Sequence, residues 1–564
     1  MAFLDLLDNI GGLGLFQLLN AILLTIPGFL TACHALLQNF SAAIPNHHCR
    51  IPNQTSTVSN WIFSFSELSN KSILKAFIPL EKNNKPSKCE RYLNPQWNLL
   101  ILNETTHHKI NQTTEKCRDG WDYDRREFLE TIVSEWDLVC SRKPLKQMSQ
   151  TVYMGGVLAG AIILGRLSDK FGRRTVLTWS YFLLAVSGTS TAFSPSYFAF
   201  CCLRFLCGMA VAGISLNSVS LMMEWIPTKS RACIGTLGSF GFTVGQLLLA
   251  GIAYNIRTWR KLQLSISVPF FFFFVCSWWI PESARWLVLN NHYDKAMREI
   301  QRVARVNRLP EEGKKITVEV LHMHMDKEIH VNKTSHTHFD LVRTPQLRKI
   351  TICLMMLWCS CSLGYYGLVM DLQKFGLSMY LAQIIFALMD FPSLFINLTS
   401  LNLLGRRITQ GGMLIIAGGV VLAIIFVPED MKILQTVLAM IGTGFMGAAF
   451  TSIYIYTGEL YPTMIRQTGM GFGSTMARIG SMSAPVVLML DEYFSYLPSI
   501  VFGIIPIFAG FSAFMLPETL NVPLPDTIKD VELQTGQLGI TPKPEVESLP
   551  CWDATMEGWT KYGQ

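Results

Sequence analysis

The sequence predicts an all-α polytopic membrane protein in which twelve transmembrane helices form two pseudo-symmetric bundles of six. The first observation behind this fold class is composition. Half of the 564 residues are hydrophobic and only 15% are charged, whereas soluble chains are about one-quarter charged. The second observation is that short charged motifs recur in the same order about half a chain apart. Together they indicate a duplicated membrane bundle.

Three landmarks recur at nearly constant spacing, which chance does not readily produce. They are Gly172-Arg173-Arg174 with Gly405-Arg406-Arg407, Glu224 to Arg231 with Glu459 to Arg466, and Pro281-Glu282-Ser283 with Pro517-Glu518-Thr519, at offsets of 233, 235 and 236 residues. The copies are not identical, because Asn402 stands in the second where Asp169 stands in the first.

Twelve apolar runs approach the ~20 residues that an α-helix needs to cross a ~30 Å hydrocarbon core. They begin near Ile10, Lys146, Thr175, Tyr197, Ala232, Lys261, Leu347, Met379, Ile408, Ile433, Thr468 and Leu497. The first run has neither a basic leader nor a small-residue cleavage site, so we expect a retained span rather than a signal peptide. The predicted organisation is an N-terminal half over 1–280, a linker over 281–346, a C-terminal half over 347–516 and a tail over 517–564.

Orientation follows from the short loops. The loops at 169–174, 229–231, 406–407 and 466 are basic, whereas the turns at 194–196, 428–430 and 491–492 are not. Positive-inside logic puts the basic loops and both termini in the cytosol. The net charge of +7 is then a consequence of topology, and no nucleic-acid partner is expected.

The polar stretch over 38–144 is predicted to lie outside the cell. Its five glycosylation sequons begin at Asn39, Asn53, Asn70, Asn103 and Asn111. Its four cysteines are Cys49, Cys89, Cys117 and Cys140. Two disulfides in one of three pairings are expected in an oxidising compartment. We assign this loop to folding and trafficking rather than to transport.

The linker carries the spacing of short amphipathic helices over 284–308, which we expect to lie along the inner membrane face. The tail is polar and Pro-rich, and is expected to be disordered or regulatory. Four histidines of the linker lack acidic or cysteine partners at ligand spacing, so neither a metal nor a cofactor is expected. They are His322, His324, His336 and His338.

Several motifs carry a family resemblance over residues 5 to about 525. The stretch from Gly165 to Arg174 resembles the signature between the second and third spans of the major facilitator superfamily. The two Pro-Glu motifs narrow this resemblance to the sugar-porter-like and organic-ion branches. The large sequon-rich loop resembles the organic ion transporter family. The runs from Tyr365 to Leu372 and from Tyr456 to Met470 are similar to the organic anion transporters within that family.

The repeated charges lie at predicted cytosolic helix ends, where the two halves of a rocker-type transporter would meet. Ion pairs formed in only one state would shift the balance between two conformations by a few kcal/mol. An ordinary anchoring role is the alternative. The predicted gate residues are Asp169, Arg173, Glu224, Arg231, Glu459 and Arg466.

Arg478 is the most informative single residue. It follows Arg466 by 12 residues, or about 18 Å along a helix, which is near the middle of the hydrocarbon core. A guanidinium there should face a cavity or a partner, and its donor fork matches carboxylate and sulfate oxygens. The alternative is a buried ion pair with Asp371 or Asp390. The resemblance implies a role in substrate binding, and the sign of the charge favours anions.

Aromatic side chains fall where the resembled family lines its central cavity, which suits flat amphipathic anions. They are Phe240, Phe242, Tyr365, Tyr366, Phe450 and Tyr454. His34 also matches the family, and its titration near neutral pH would make transport pH-dependent; a packing role is the alternative. Leu394 stands where dicarboxylate-exchanging relatives carry a lysine, so we expect weaker binding of small doubly charged acids.

The sequence therefore predicts a plasma-membrane secondary transporter of bulky organic anions such as steroid sulfates. The expected partners are the small anion substrates, a counter-anion and the lipid bilayer. The open alternatives are an organic cation or zwitterion carrier of the same fold, or a receptor that does not transport. An enzyme is not expected, because the spans contain no catalytic pair and the chain has no Walker sequence.

Overall fold

The computed structural model describes residues 10–12, 14–51, 70–80, 85–96, 113–321, 338–375, 377–428, 430–462, 464–522, 525, 528 and 530–532. Within these ranges, twelve helical spans occupy the twelve predicted positions. They are α1 Leu15–Leu36, α2 Lys143–Phe171, α3 Arg173–Ala192, α4 Tyr197–Trp225, α5 Thr228–Asn255, α6 Trp259–Ser267 with Pro269–Cys276, α7 Pro345–Val369, α8 Met379–Leu403, α9 Arg406–Ala423, α10 Lys432–Leu460, α11 Arg466–Leu488 and α12 Leu497–Ala513.

Eight of these helices, among the residues described, are long and apolar enough to cross a membrane by length and composition. The other four are α3, α5, α11 and α12, and α12 is the shortest of them with 17 residues. Helix α6 is divided where Pro269 begins its second part, because proline supplies no N–H to the helical ladder. The fold is that of an all-α polytopic membrane protein with two pseudo-symmetric six-helix bundles.

The duplication is visible in atomic detail at the start of α3 and α9. In the first half, the Glu282 carboxylate accepts hydrogen bonds from the backbone N–H groups of Arg173 and Arg174, both at 3.1 Å. In the second half, Glu518 accepts from the N–H groups of Arg406 and Arg407, at 2.8 and 3.0 Å. A carboxylate at a helix N-terminus satisfies unpaired donors and complements the helix dipole.

The glycine that precedes each of these helices is required by its conformation. Gly172 and Gly405 have φ of +96° and +86°, a region that L side chains rarely adopt. A Cβ atom on either would also lie too close to the capping carboxylate, 2.4 Å from Glu282 Oε2 or 2.6 Å from Glu518 Oε2. The recurrent Gly-Arg-Arg and Pro-Glu motifs are therefore two parts of one cap.

Each half has its own apolar core. In the first half, the core includes Trp225 and Phe270, at 1% and 0% exposure. In the second half it includes Trp358 and Tyr456, both at 0%. Large aromatic side chains of this kind bury much apolar area each and help to hold the helices of each half together.

In its described part the linker includes the short helices Ala284–Leu289, Tyr293–Val306 and Pro310–Lys315. The apolar face of the second helix, including Ile300 and Val303 at 0% exposure, belongs to the core of the first half. This face packs on protein, which corrects the expectation that it lies along the membrane. His322, His324 and His336 fall outside the described residues.

The beginning of the tail is ordered against the second half. Val531 is 4% exposed within that core, and the Glu532 carboxylate accepts a hydrogen bond from the backbone N–H of Gln346 at 3.3 Å. The expectation of a disordered tail is therefore corrected for this short stretch, and residues 533–564 fall outside the described part.

Residues 40–146, together with 256–261, form a second compact unit. It contains two antiparallel pairs of strands: β1 His47–Cys49 with β4 Trp121–Tyr123, and β2 Glu90–Tyr92 with β3 Thr114–Lys116. The prediction of two disulfides is confirmed, and the pairing is Cys49–Cys117 and Cys89–Cys140. These bonds tie strands that are far too short to be stable alone.

A glycan on Asn39 does not fit this structure. Asn39 is 6% exposed, and its amide nitrogen donates to the carbonyl oxygen of Val369 at 2.9 Å and to Gln383 Oε1 at 3.1 Å. The prediction that Asn39 carries a glycan is therefore wrong for this structure. Asn70 begins the helix Asn70–Phe77. Three other sequon residues lie outside the described ranges: Asn53, Asn103 and Asn111.

Candidate functional site

Arg478 lies on α11 and holds an incompletely satisfied guanidinium. Its Nη1 donates to the carbonyl oxygen of Ser474 at 2.9 Å and to Ser474 Oγ. Its Nε is buried without a hydrogen-bond partner. Its Nη2 is not fully buried, and it has no hydrogen-bond partner among the described residues. In the part of the chain that the structure describes, no carboxylate forms an ion pair with Arg478. The alternative of a buried ion pair with Asp371 or Asp390 is therefore not supported.

Two tyrosines border this guanidinium. Tyr366 of α7 and Tyr454 of α10 are the ionisable groups that interact electrostatically with Arg478. The ring of Tyr366 meets that of Tyr365 edge-on at 5.6 Å. Tyr454 remains 41% exposed, although it belongs to an aromatic cluster inside the second half. Two phenol rings, which could contact an apolar body, therefore lie within electrostatic reach of the cation.

Trp358 organises the aromatic cluster, and sequence reasoning missed it. Its ring centroid lies 4.4 Å from that of Tyr454 and 6.0 Å from that of Phe450. Its indole N–H donates to Thr457 Oγ1 at 3.0 Å. Because Trp358 is fully buried, it fixes the two rings that the sequence did identify. A tryptophan in an apolar run gives no signal that separates this role from ordinary packing.

Polar side chains join the two halves beside Tyr365. Gln246 of α5 donates through Nε2 to the Tyr365 hydroxyl and to Asp390 Oδ2, both at 3.2 Å. Thr243, one turn earlier, donates to the same Oδ2 at 3.1 Å. Gln383 of α8 donates to Gln246 Oε1 at 3.1 Å. The network therefore crosses between α5 of the first half and α7 and α8 of the second.

The aromatic residues of α5 are placed differently from those of the second half. Phe240 stacks on Phe391 of α8, with ring centroids 5.4 Å apart and planes 20° from parallel. Phe242 is half-buried on the same helix. Phe240 thus contributes to the contact between the halves next to the polar network, rather than to the cluster around Arg478.

His34 does not join this arrangement. It is fully buried in the first half, with its ring 5.8 Å from that of Phe270 and its Nε2 3.5 Å from Ser267 Oγ. This location corrects its assignment as a substrate residue and fits the packing alternative. Another buried cation, Arg204 of α4, lies over the ring of Tyr153 at 4.2 Å and was missed, although a charge within an apolar run is a usable signal.

The predicted gate charges pair within each half. Arg173 pairs with Asp169 at 3.1 Å and with Glu224 at 3.4 Å. In this conformation Arg173 therefore pairs within the first half, and pairing across the halves when the outside is open stays a prediction. Burial raises the pKa of the neighbouring Glu282 carboxyl, while hydrogen bonds from Arg174 and Ser283 oppose that shift.

The second half repeats the pair. Arg406 binds Glu459 through two nitrogens, with Nη2–Oε1 and Nε–Oε2 distances both of 3.0 Å. The Nε of Arg466 donates to the carbonyl oxygen of Tyr461 at 3.2 Å. The side chain of Arg231 lies outside the described part. These contacts stabilise the end of each bundle internally.

Comparisons with a family model and with known proteins both identify this chain as similar to transporters. The family described as sugar (and other) transporter matches residues 99–528. Solute carrier family 22 member 6-A of Xenopus laevis is 48% identical over 532 residues, which cover 94% of each chain. Organic anion transporter 3 of Rattus norvegicus is 45% identical over 532 residues, which cover 94% of this chain and 95% of the relative.

A solved structure supports the fold alone. The xylose transporter XylE from E. coli, in its inward-open conformation, superimposes with a TM-score of 0.57 over 91% of this chain and 98% of its own. Its sequence is 15% identical. The arrangement of helices is therefore shared, whereas the residues around Arg478 must be interpreted from this chain.

Proposed function

Since this chain belongs to the sugar (and other) transporter family of the major facilitator superfamily, in its organic anion transporter branch, we propose that it moves bulky organic anions across the plasma membrane by alternating access. The chain is a transporter rather than an enzyme. Its basic loops favour cytosolic termini. The names of its relatives support the anionic class of substrate.

The observation that carries this proposal is the unpaired nitrogen of Arg478. An arginine near the centre of a membrane costs roughly 2.5–3.5 kcal/mol on insertion scales, so such residues are usually functional. Here Nη1 donates to Ser474 on the same helix, whereas Nη2 has no partner in the described part of the chain. A carboxylate or sulfate oxygen of a substrate would supply the missing acceptor and the missing charge.

The surroundings favour anions with an apolar body. Tyr366 and Tyr454 interact with the guanidinium, and the ring of Phe450 lies 5.6 Å from that of Tyr454. Leu394 of α8 is 8% exposed and supplies no second cation. One cation with several rings suits a steroid sulfate better than a small dicarboxylate, whose second charge would lose water without a partner.

We further propose exchange against a counter-anion. A bundle with an occupied site is electrically more balanced than an empty one, because the substrate neutralises the buried guanidinium. Reorientation of the empty carrier would then be slow, and an anion on the opposite side would accelerate turnover.

Uptake into cells expressing the chain tests the proposal, with labelled estrone sulfate, para-aminohippurate and tetraethylammonium as probes. Arg478→Ala should abolish estrone sulfate uptake at unchanged surface expression. Arg348→Ala is the matched control, because Arg348 is exposed and outside the site. Tetraethylammonium uptake that survives in Arg478→Ala would contradict the anion assignment. Binding of estrone sulfate without accumulation would favour a receptor.

A further inference from the structure

The carboxylate of Asp390 has one oxygen that protein leaves open. Both of its hydrogen bonds reach Oδ2, from Thr243 and Gln246. Oδ1 accepts no hydrogen bond in the described structure and is not sealed from solvent. No cation pairs with Asp390 among the residues described, and Leu394 occupies the next turn of α8. A carboxylate inside a membrane bundle therefore presents a free acceptor.

The open oxygen borders the candidate substrate site. A Cβ placed on Gly447 of α10 would lie 3.5 Å from Asp390 Oδ1 and 3.6 Å from the Tyr365 ring. Tyr365 in turn meets Tyr366, which interacts with Arg478. Asp390 thus lies next to one member of the tyrosine pair, and Arg478 next to the other. The two unpaired charges have opposite signs.

We propose that Asp390 is a specificity-determining residue that contacts one end of the substrate, the end opposite to the substrate's own acid group. A hydroxyl or amine at that end donates a hydrogen bond to Oδ1, whereas a second negative charge is repelled. This inference rests on the proposed anion site at Arg478 and sharpens it: the substrates are monoanions with a donor at the far end.

Three steroid sulfates with one ring system test the proposal. Estrone 3-sulfate ends in a ketone, estradiol 3-sulfate in a hydroxyl donor, and estradiol 3,17-disulfate in a second anion. Wild-type protein should take up the hydroxyl compound with a kcat/KM about tenfold above that of the ketone, the ratio expected from a hydrogen bond to a charged group. The disulfate should be the poorest substrate.

Asp390→Asn removes the charge and retains an oxygen for Thr243 and Gln246. It should raise disulfate uptake several-fold and reduce the preference for the hydroxyl compound. Asp491→Asn is the matched control, because Asp491 pairs with Lys374 at the other end of the same half. Leu394→Lys provides a second approach that leaves Asp390 intact. A lysine one turn away would neutralise the carboxylate, and should also raise disulfate uptake.

Wild-type uptake that does not distinguish the three steroids, with no change in Asp390→Asn or Leu394→Lys, would overturn this inference alone. Wild-type protein that reaches the surface and transports none of the sulfates would overturn the proposed function as well. If Asp390→Asn does not reach the surface, the wild-type kcat/KM ratio between the hydroxyl compound and the ketone decides between the two outcomes, because a lysine at 394 would also attract the disulfate by its own charge.

Discussion

Single residues of the site orient the positive charge of Arg478 within an apolar bundle. Ser474, one turn before Arg478, accepts from one nitrogen of the guanidinium and so fixes its orientation. Of the other two nitrogens, Nε is buried and Nη2 is the one proposed to meet the substrate. Trp358 and Phe450 set the position of Tyr454 by edge-to-face contacts, so the rings beside the cation are already arranged before binding.

Arg478→Lys tests whether geometry matters in addition to charge. Lysine keeps the positive charge but loses the planar fork that can hold two oxygens. We expect the KM for estrone sulfate to rise about tenfold, equivalent to ~1.4 kcal/mol. The check is concentration-dependent uptake at matched surface expression. An unchanged KM would show that a point charge is sufficient.

The sequence allows some of these residues to be predicted and not others, for physical reasons. Arg478 stands out because a charge within an apolar run is costly. The partners of Asp390 do not stand out, because Thr243 and Gln246 are neutral and lie 147 and 144 residues away in the chain. The assignment of His34 to substrate binding was wrong, because a polar residue in a span also fits a buried packing position.

At the scale of elements, each half begins one of its helices in the same way. A glycine with positive φ precedes the helix, and a glutamate from a distant Pro-Glu motif caps it. The sequence repeat predicts that two copies exist. It does not predict which groups meet, because the glutamate lies 109 or 112 residues beyond the first N–H it binds.

Gly405→Ala tests this cap. The substitution forces an unfavourable φ and brings Cβ to 2.6 Å from Glu518 Oε2, so we expect a loss of about 1–3 kcal/mol of stability. The unfolding midpoint of purified protein in detergent, followed by tryptophan fluorescence, is the measurement. Gly412→Ala on the same helix is the control, because a Cβ there has open space. Equal midpoints for the two variants would exclude the cap.

At the scale of the whole molecule, the repeated ion pairs lie within each half, whereas weaker contacts join the two halves. The charged pairs Arg173–Glu224 and Arg406–Glu459 lie within single halves. The contacts between halves include neutral donors to Asp390 and the stacked Phe240–Phe391 pair. These hydrogen bonds and this ring contact can break without separating a strong ion pair. The arrangement is therefore compatible with movement of two rigid bundles about a central site.

Composition and the repeat were sufficient to predict twelve helices in two halves, because membrane spans must be apolar and long. They could not predict which contacts join the halves in this conformation. The same charged residues are compatible with pairing within a half or between halves, and the choice depends on tertiary distances that a sequence does not contain.

Exchange by purified full-length protein in liposomes tests the central claim most directly. Entry of labelled estrone sulfate would be compared between vesicles preloaded with unlabelled estrone sulfate and empty vesicles, for wild-type protein, Arg478→Ala and Arg348→Ala. We predict that preloading accelerates entry several-fold for wild-type and Arg348→Ala protein, and that Arg478→Ala matches protein-free vesicles. Entry that is equally fast in Arg478→Ala would contradict an anion site centred on this arginine.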